Sequence, residues 1–234
     1  MKNSRRASGV AIAAVTLGLA LVGCGSDTAT EPSASKETSS KAPSKSETTK
    51  AAPETSPAPA DGANYTIVDY IKENQIVETP IHRGDPGSPA LDLPIPPGWE
   101  DAGPNAPEWA WGAIVFADPV AAGDPPSVIA LMSKLTGNVD PAKVIEFAPN
   151  ELKNLDGWDG SDGQASTMSG FEAWQLSGTY VKDGATRLIG QKTVVIPGQD
   201  GMYVLQLNAD GPEGQQGPMM DAMNLIDEQT TITP

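Results

Sequence analysis

The chain has 234 residues, 30 acidic and 15 basic, for a net charge of −15 with its one histidine neutral, and it holds a single cysteine. That acidic balance opposes binding to nucleic acid or to an anionic membrane surface, since both repel it. One cysteine excludes an intrachain disulfide framework and a multi-cysteine metal site.

The first element is a signal peptide. Lys2, Arg5 and Arg6 precede a 13-residue apolar run from Val10 to Val22. This run is too short for a bilayer-spanning helix, which needs about 20 residues, but it suits the apolar region of a secretory signal. It closes on Leu21-Val22-Gly23-Cys24, small and aliphatic residues before a cysteine, as in a bacterial lipobox. A thiolate is the nucleophile that lipid attachment requires. The reading is therefore a signal over residues 1–23 and a lipid-modified Cys24, whose new amine is acylated after cleavage. Two or more acyl chains hold stably where one does not. The mature protein is expected on the outer, periplasmic face of the cytoplasmic membrane, anchored without crossing it.

From Gly25 to Ala63 there is no aromatic residue and no Val, Ile, Leu or Met. Such a segment buries too little apolar surface to offset the entropy of ordering it. Residues 24–63, counted with the lipidated Cys24, read as a disordered tether rich in Ser, Thr, Pro and Ala. As a flexible coil its 39 residues beyond Cys24 would span about 35 Å. Its charges are mixed, six acidic and four basic, so it is not a polybasic lipid-binding arm.

Residues 64–234 fit one domain of ordinary size. They carry 24 acidic and 8 basic side chains, net −16. This charge suits solubility, a neutral ligand or a basic protein partner. Thr66-Ile67-Val68-Asp69 predicts a capped helix start, with Asp in place of the usual Glu or Gln. Ile67, Tyr70, Ile71 and then Gln75-Ile76 follow at helical spacing. Leu91, Leu93 and Ile95 alternate within a Pro/Gly-rich stretch and suggest a short edge strand. Trp111 to Ala117 and Val128 to Lys134 are nearly continuous in apolar character, as in a strand covered on both faces.

Asp140-Pro141 is a helix cap followed by an N1 proline. Val144, Ala148, Leu152 and Leu155 continue on one face, with Pro149 expected to kink or split the helix. Phe171 to Val181 alternates as a strand, and Asp183-Gly184 predicts a tight hairpin turn. Arg187 to Ile196 and Met202 to Ala209 read as strands around a Pro197–Gly201 turn. Pro218 is expected to open a last helix whose Met219, Ala222, Met223 and Ile226 share a face. The pattern is α+β, a mostly antiparallel sheet flanked by helices.

Catalytic signals are thin, and the reading is a protein that is not an enzyme. A Ser-His-Asp triad would have to use the one histidine, His82. Ser88 and Asp85 are close to it in sequence but sit among Gly84, Pro86, Gly87 and Pro89, and no Gly-x-Ser-x-Gly elbow is present. There is no His-Glu-x-x-His, no phosphate-cradling loop and no dinucleotide fingerprint, so neither a cofactor nor a metal is expected. Asp156, Asp159 and Asp162 cluster, but their spacing of three does not match an EF-hand calcium loop, and an Asx/Gly turn cluster accounts for them.

Tryptophan is more suggestive. Indole faces stack on the apolar faces of sugars and line greasy clefts, leaving the N–H as an orienting donor. Core packing accounts for Trp99 and Trp174. Trp109, Trp111 and Trp158, with Asp159 as an acceptor, are the candidate ligand-binding residues. Met219, Met220 and Met223 read either as an adaptable lipid-contacting surface or as a helix packed on the sheet.

Several segments carry a resemblance. Asn64-Tyr-Thr-Ile-Val-Asp-Tyr-Ile, Glu78-Thr-Pro-Ile-His-Arg-Gly-Asp-Pro-Gly-Ser-Pro and Leu135-Thr-Gly-Asn-Val-Asp-Pro-Ala-Lys-Val come first. Gln191-Lys-Thr-Val-Val-Ile-Pro, Val204-Leu-Gln-Leu-Asn-Ala-Asp and the ending Ile226-Asp-Glu-Gln-Thr-Thr-Ile-Thr-Pro complete them. Together they resemble the mycobacterial LpqN/LpqT lipoprotein family, its LpqN members most nearly, across essentially the whole domain. The resemblance implies a Mog1/PsbP-like fold, an antiparallel sheet between helices, with Pro97-Gly98-Trp99 leading into it. It also implies association with MmpL-type transporters and with trehalose esters of mycolic or corynomycolic acids in mycomembrane biogenesis. The leading expectation is thus a membrane-anchored periplasmic protein that binds a trehalose-mycolate-type glycolipid and assists an MmpL-linked export step. The alternative is a non-enzymatic adaptor that docks on the transporter's periplasmic domains without carrying lipid.

Overall fold

The structure, a computed structural model, describes residues 63–234. The signal peptide, Cys24 and tether expectations lie outside the described residues. Helix α1 (Ile67–Glu73) starts at the expected box: Asp69 N–H donates to Thr66 Oγ1, and Thr66 N–H to Asp69 Oδ2. The helix is shorter than the apolar spacing suggests. Gln75 has φ +54°, which no helix continues through, so Ile76 reaches the core from a turn.

Strands β1 (Val77–Ile81), β2 (Ala90–Asp92) and β3 (Trp99–Asp101) follow. The alternating segment at Leu91 contributes only the three residues of β2, because Pro94 and Pro96 have no N–H to extend a ladder. Next come β4 (Gly112–Phe116) and β5 (Ser127–Thr136), close to their expected bounds. Asp140 caps α2 (Pro141–Phe147) through the Ala142 N–H, and Pro149 splits off α3 (Asn150–Lys153). Val144, Ala148 and Leu152 are fully buried along this broken helix.

The remaining strands are β6 (Asp159–Gly160), β7 (Gln164–Met168), β8 (Phe171–Lys182), β9 (Ala185–Gly198) and β10 (Gly201–Pro212). Asp183 and Gly184 both have positive φ, +52° and +78°, the geometry of a hairpin turn whose twist matches its strands. The β9–β10 turn is tighter than expected. Gly198 pairs with Gly201, so only Gln199 and Asp200 form the loop and Pro197 belongs to the strand. Helix α4 (Gln216–Gln229) begins two residues before Pro218, and β11 (Thr231–Thr233) pairs with β2.

All these pairings are antiparallel. The main sheet runs β3-β4-β5-β10-β9-β8-β6, with β1 beside β5 and β7 beside β8, nine strands in all. The fold class is α+β, as expected from sequence. Strand alternation divides the core between two faces. Val128, Met132, Val194, Leu205 and Leu207 pack under α4 with Met219, Ala222 and Ile226. On the other face Leu135, Val195, Met202 and Val204 pack against α1 and α2. The central β5 is therefore covered on both sides, which is why its sequence lacks polar alternation.

Candidate functional site

The tryptophans singled out from sequence do not converge. Trp109 is half-buried and packs with Ala102, Ala110 and Ile129 on the α1/α2 face of β5. Trp111 is buried on the α4 face, with the Arg83 guanidinium 4.6 Å above its ring. A cavity of about 170 Å³ lies beside it, between Leu91, Ile95 and Ile226. Trp158 lies over Gly160 and Gly178 beside β6, and Asp159 is exposed there. The first pair belongs to the β3–β4 end of the sheet and the second to the β6 end, with β5, β10, β9 and β8 between. They cannot line one site.

The other chemistry-bearing groups have local partners. His82 Nδ1 is 3.6 Å from Asp85 Oδ2, but Ser88 Oγ donates to the Asp85 carbonyl and not to histidine. Asp162 pairs with Lys153 at 3.0 Å, and the Asp156 carbonyl accepts from Val181 N–H. Among the described residues no group of three or more His, Cys, Asp or Glu side chains comes together. Buried Arg187 spans Asp210 and Asp124, each at 2.5 Å, and Tyr180 donates to Asp210 at 2.6 Å. This cluster joins β8, β9 and β10 to the β4–β5 connection.

A groove of about 690 Å³ opens between α4 and the β8–β9 wing of the sheet. That volume is within the range of small-molecule sites. Strand pairing builds the floor. Gln175 lies opposite Lys192 and Ser177 opposite Gly190, so these four share one face two residues apart. Leu188 continues the floor on β9, and Gly190 leaves an open step in it. A Cβ at Gly190 would make only ordinary contacts, with Ser177 and the Leu176 carbonyl. The α4 side supplies Met219, Met220 and Met223, followed by Asn224 and Asp227. The β6–β7 segment supplies Ser161, Gly163 and Gln164 at the rim.

The groove therefore has two chemical ends. Thioether and aliphatic groups form one wall; the wall is adaptable because methionine is unbranched and polarizable. Met219 is buried in the core while Met220 is 54% exposed, so the methionine face both packs on the sheet and borders solvent. The other end carries amides, a hydroxyl and the Lys192–Asp227 ion pair. Lys192 is almost wholly buried, and its ammonium also reaches Ser166 Oγ, the Thr167 carbonyl and Gln175 Oε1 at 2.9, 3.0 and 3.3 Å. The methionines were visible in sequence. The floor residues were not, because Gln175 and Ser177 meet Lys192 and Gly190 only through the β8–β9 register.

The described residues form an antiparallel sheet with a helix laid across one face and a mixed apolar–polar groove beside it. The comparisons with known proteins give the chain a family. The family described as probable lipoprotein LpqN matches residues 63–233, and this chain belongs to it. Lipoprotein LpqN of Mycobacterium tuberculosis is 56% identical over 176 residues, covering 75% of this chain and 77% of that protein. A crystal structure of LpqN described as involved in cell envelope biogenesis of M. tuberculosis aligns with a TM-score of 0.70 and 56% identity. The alignment covers 74% of this chain and all of the crystallised one.

Proposed function

We propose that this lipoprotein holds a glycolipid of the trehalose-mycolate type in the α4 groove and assists MmpL-linked biogenesis of the cell envelope. It would do so from the outer face of the cytoplasmic membrane, anchored through Cys24. The observation that carries this reading is the groove itself, with a methionine wall for hydrocarbon and an amide-rich end for a hydroxylated headgroup. The envelope role described for the M. tuberculosis relative supports it at 56% identity. So does the site's chemistry: its one cation and one anion, Lys192 and Asp227, are paired with each other.

The test uses the mature chain carrying Cys24→Ser, which removes acylation and leaves the rest unchanged. In native mass spectrometry it is expected to form a one-to-one adduct with a short-chain trehalose ester and none with free trehalose. Gly190→Leu fills the step in the floor without a left-handed backbone to strain. It is expected to lower ester affinity at least tenfold with the circular dichroism spectrum unchanged. Unaltered binding would remove the ligand from this groove.

One further observation favours a second reading. With 24 acidic and 8 basic side chains, the domain suits electrostatic docking on basic loops of an MmpL-type transporter. In that role it would act as a non-enzymatic adaptor that does not itself carry lipid. Trp109, Trp158 and Asp159, the surface groups at the two ends of the sheet, would then belong to protein contacts and not to a sugar platform.

A further inference from the structure

We infer that the Lys192–Asp227 pair makes the groove selective for amphiphiles with uncharged headgroups and excludes phosphate and carboxylate lipids. The inference rests on the reading of the groove as a lipid site and adds the residues that decide headgroup charge. Of the described residues that line the groove, Lys192 is the single cation and Asp227 the single anion. An anionic headgroup taken out of water needs a partner of opposite charge or a set of free donors. Lys192 offers neither. Its ammonium has three donors and four acceptors within reach: Ser166, the Thr167 carbonyl, Gln175 and Asp227. Its side chain is 3% exposed, so it has no free face toward a ligand.

Asp227 completes the gate. Its carboxylate is 37% exposed, at the groove wall, and one oxygen is taken by Lys192. The carboxylate repels a second anion held in the same partly dehydrated space. A neutral polyol meets no such penalty, because its hydroxyls donate to the carboxylate and exchange bonds with Gln164, Gln175 and Asn224. The pair is formed by a strand residue and a helix residue, so it also closes α4 onto β9 at the polar end.

Two probes with one chain length isolate the headgroup: dodecyl maltoside and dodecyl phosphate, each titrated below its micelle concentration into the mature Cys24→Ser chain. The wild-type groove is expected to bind the maltoside at least tenfold more tightly than the phosphate. Asp227→Asn removes one charge, keeps the shape and leaves Lys192 uncompensated. It should bring the two affinities to within about threefold, with maltoside binding nearly unchanged. Asp227→Glu should keep the wild-type preference. Asp221→Asn removes the same charge from an exposed position of the same helix and should leave the ratio where it was. Equal wild-type affinity for both probes overturns the inference and spares the lipid reading, as does a preference unmoved by Asp227→Asn. Binding of neither probe removes both.

Discussion

Glu151 carries a carboxyl that the fold almost closes off from water. It is 7% exposed, Oε1 accepts the Ile67 N–H at 3.2 Å, and Oε2 has no partner among the described residues. Burial pushes its pKa up to about 8, with nearby Asp69 adding to the shift and backbone hydrogen bonds opposing it. A carboxyl that binds its proton more tightly when folded stabilises the fold at low pH, and the advantage disappears as pH rises through the folded value. Urea midpoints are therefore expected to fall between about pH 4.5 and 8 and to level off above. In Glu151→Gln, which stays neutral at every pH, that slope should vanish; an unchanged slope would assign the titration elsewhere. The tryptophans teach the opposite lesson at this scale. A residue type suited to sugars is no guide to position, and Trp111 is committed to the core beneath Arg83.

Among the elements, the β8–β9 hairpin determines the groove because its register sets which side chains share the floor. That register depends on a two-residue turn with two positive φ angles. A one-residue slip of β8 against β9 would send Gln175 and Ser177 to the face opposite Gly190 and Lys192. Gly184→Ala forces a methyl-bearing residue into the left-handed region and should cost about 1 kcal/mol. Denaturant unfolding measures that loss directly, and an unaffected midpoint would mean the turn relaxes to another type. Helix α4 is the other wall. Its core face was legible as Met219, Ala222, Met223 and Ile226 because a packed helix repeats every 3.6 residues. Its start was not, since Gln216 and Gly217 carry no initiation signal and Pro218 does.

At the level of the whole molecule, charge and tether act together. The lipid anchor expected at Cys24 would confine the domain to the membrane surface, and the expected mixed-charge tether would set how far it ranges. Strong net charge makes any encounter with a basic partner depend on ionic strength. If the domain docks on the periplasmic loops of an MmpL-type transporter, raising salt from 50 to 300 mM should slow association at least tenfold in surface plasmon resonance. Glycolipid binding by the groove should hardly change over the same range, because the proposed ligand is neutral. An association rate indifferent to salt would count against docking through the acidic surface.

The sequence by itself determined what composition and local spacing encode. Among the described residues these are the capped starts at Thr66 and Asp140, the Asp183-Gly184 turn and the α+β pattern; the lipobox at Cys24 and the apolar-poor tether are expectations of the same local kind that lie outside them. Each depends on neighbours a few residues apart, whose physics is local. The short strands β1, β7 and β11 were not legible, because exposed or mixed segments such as Val77–Ile81 become strands only when another strand offers its edge. Only the tertiary structure decided the groove. It needs Lys192 from β9, Gln175 from β8 and Asp227 from α4 at one point, though they are 17 and 35 residues from Lys192 in sequence. Sheet register and the placement of α4 across the sheet bring them together, and neither leaves a periodicity that can be read along the chain.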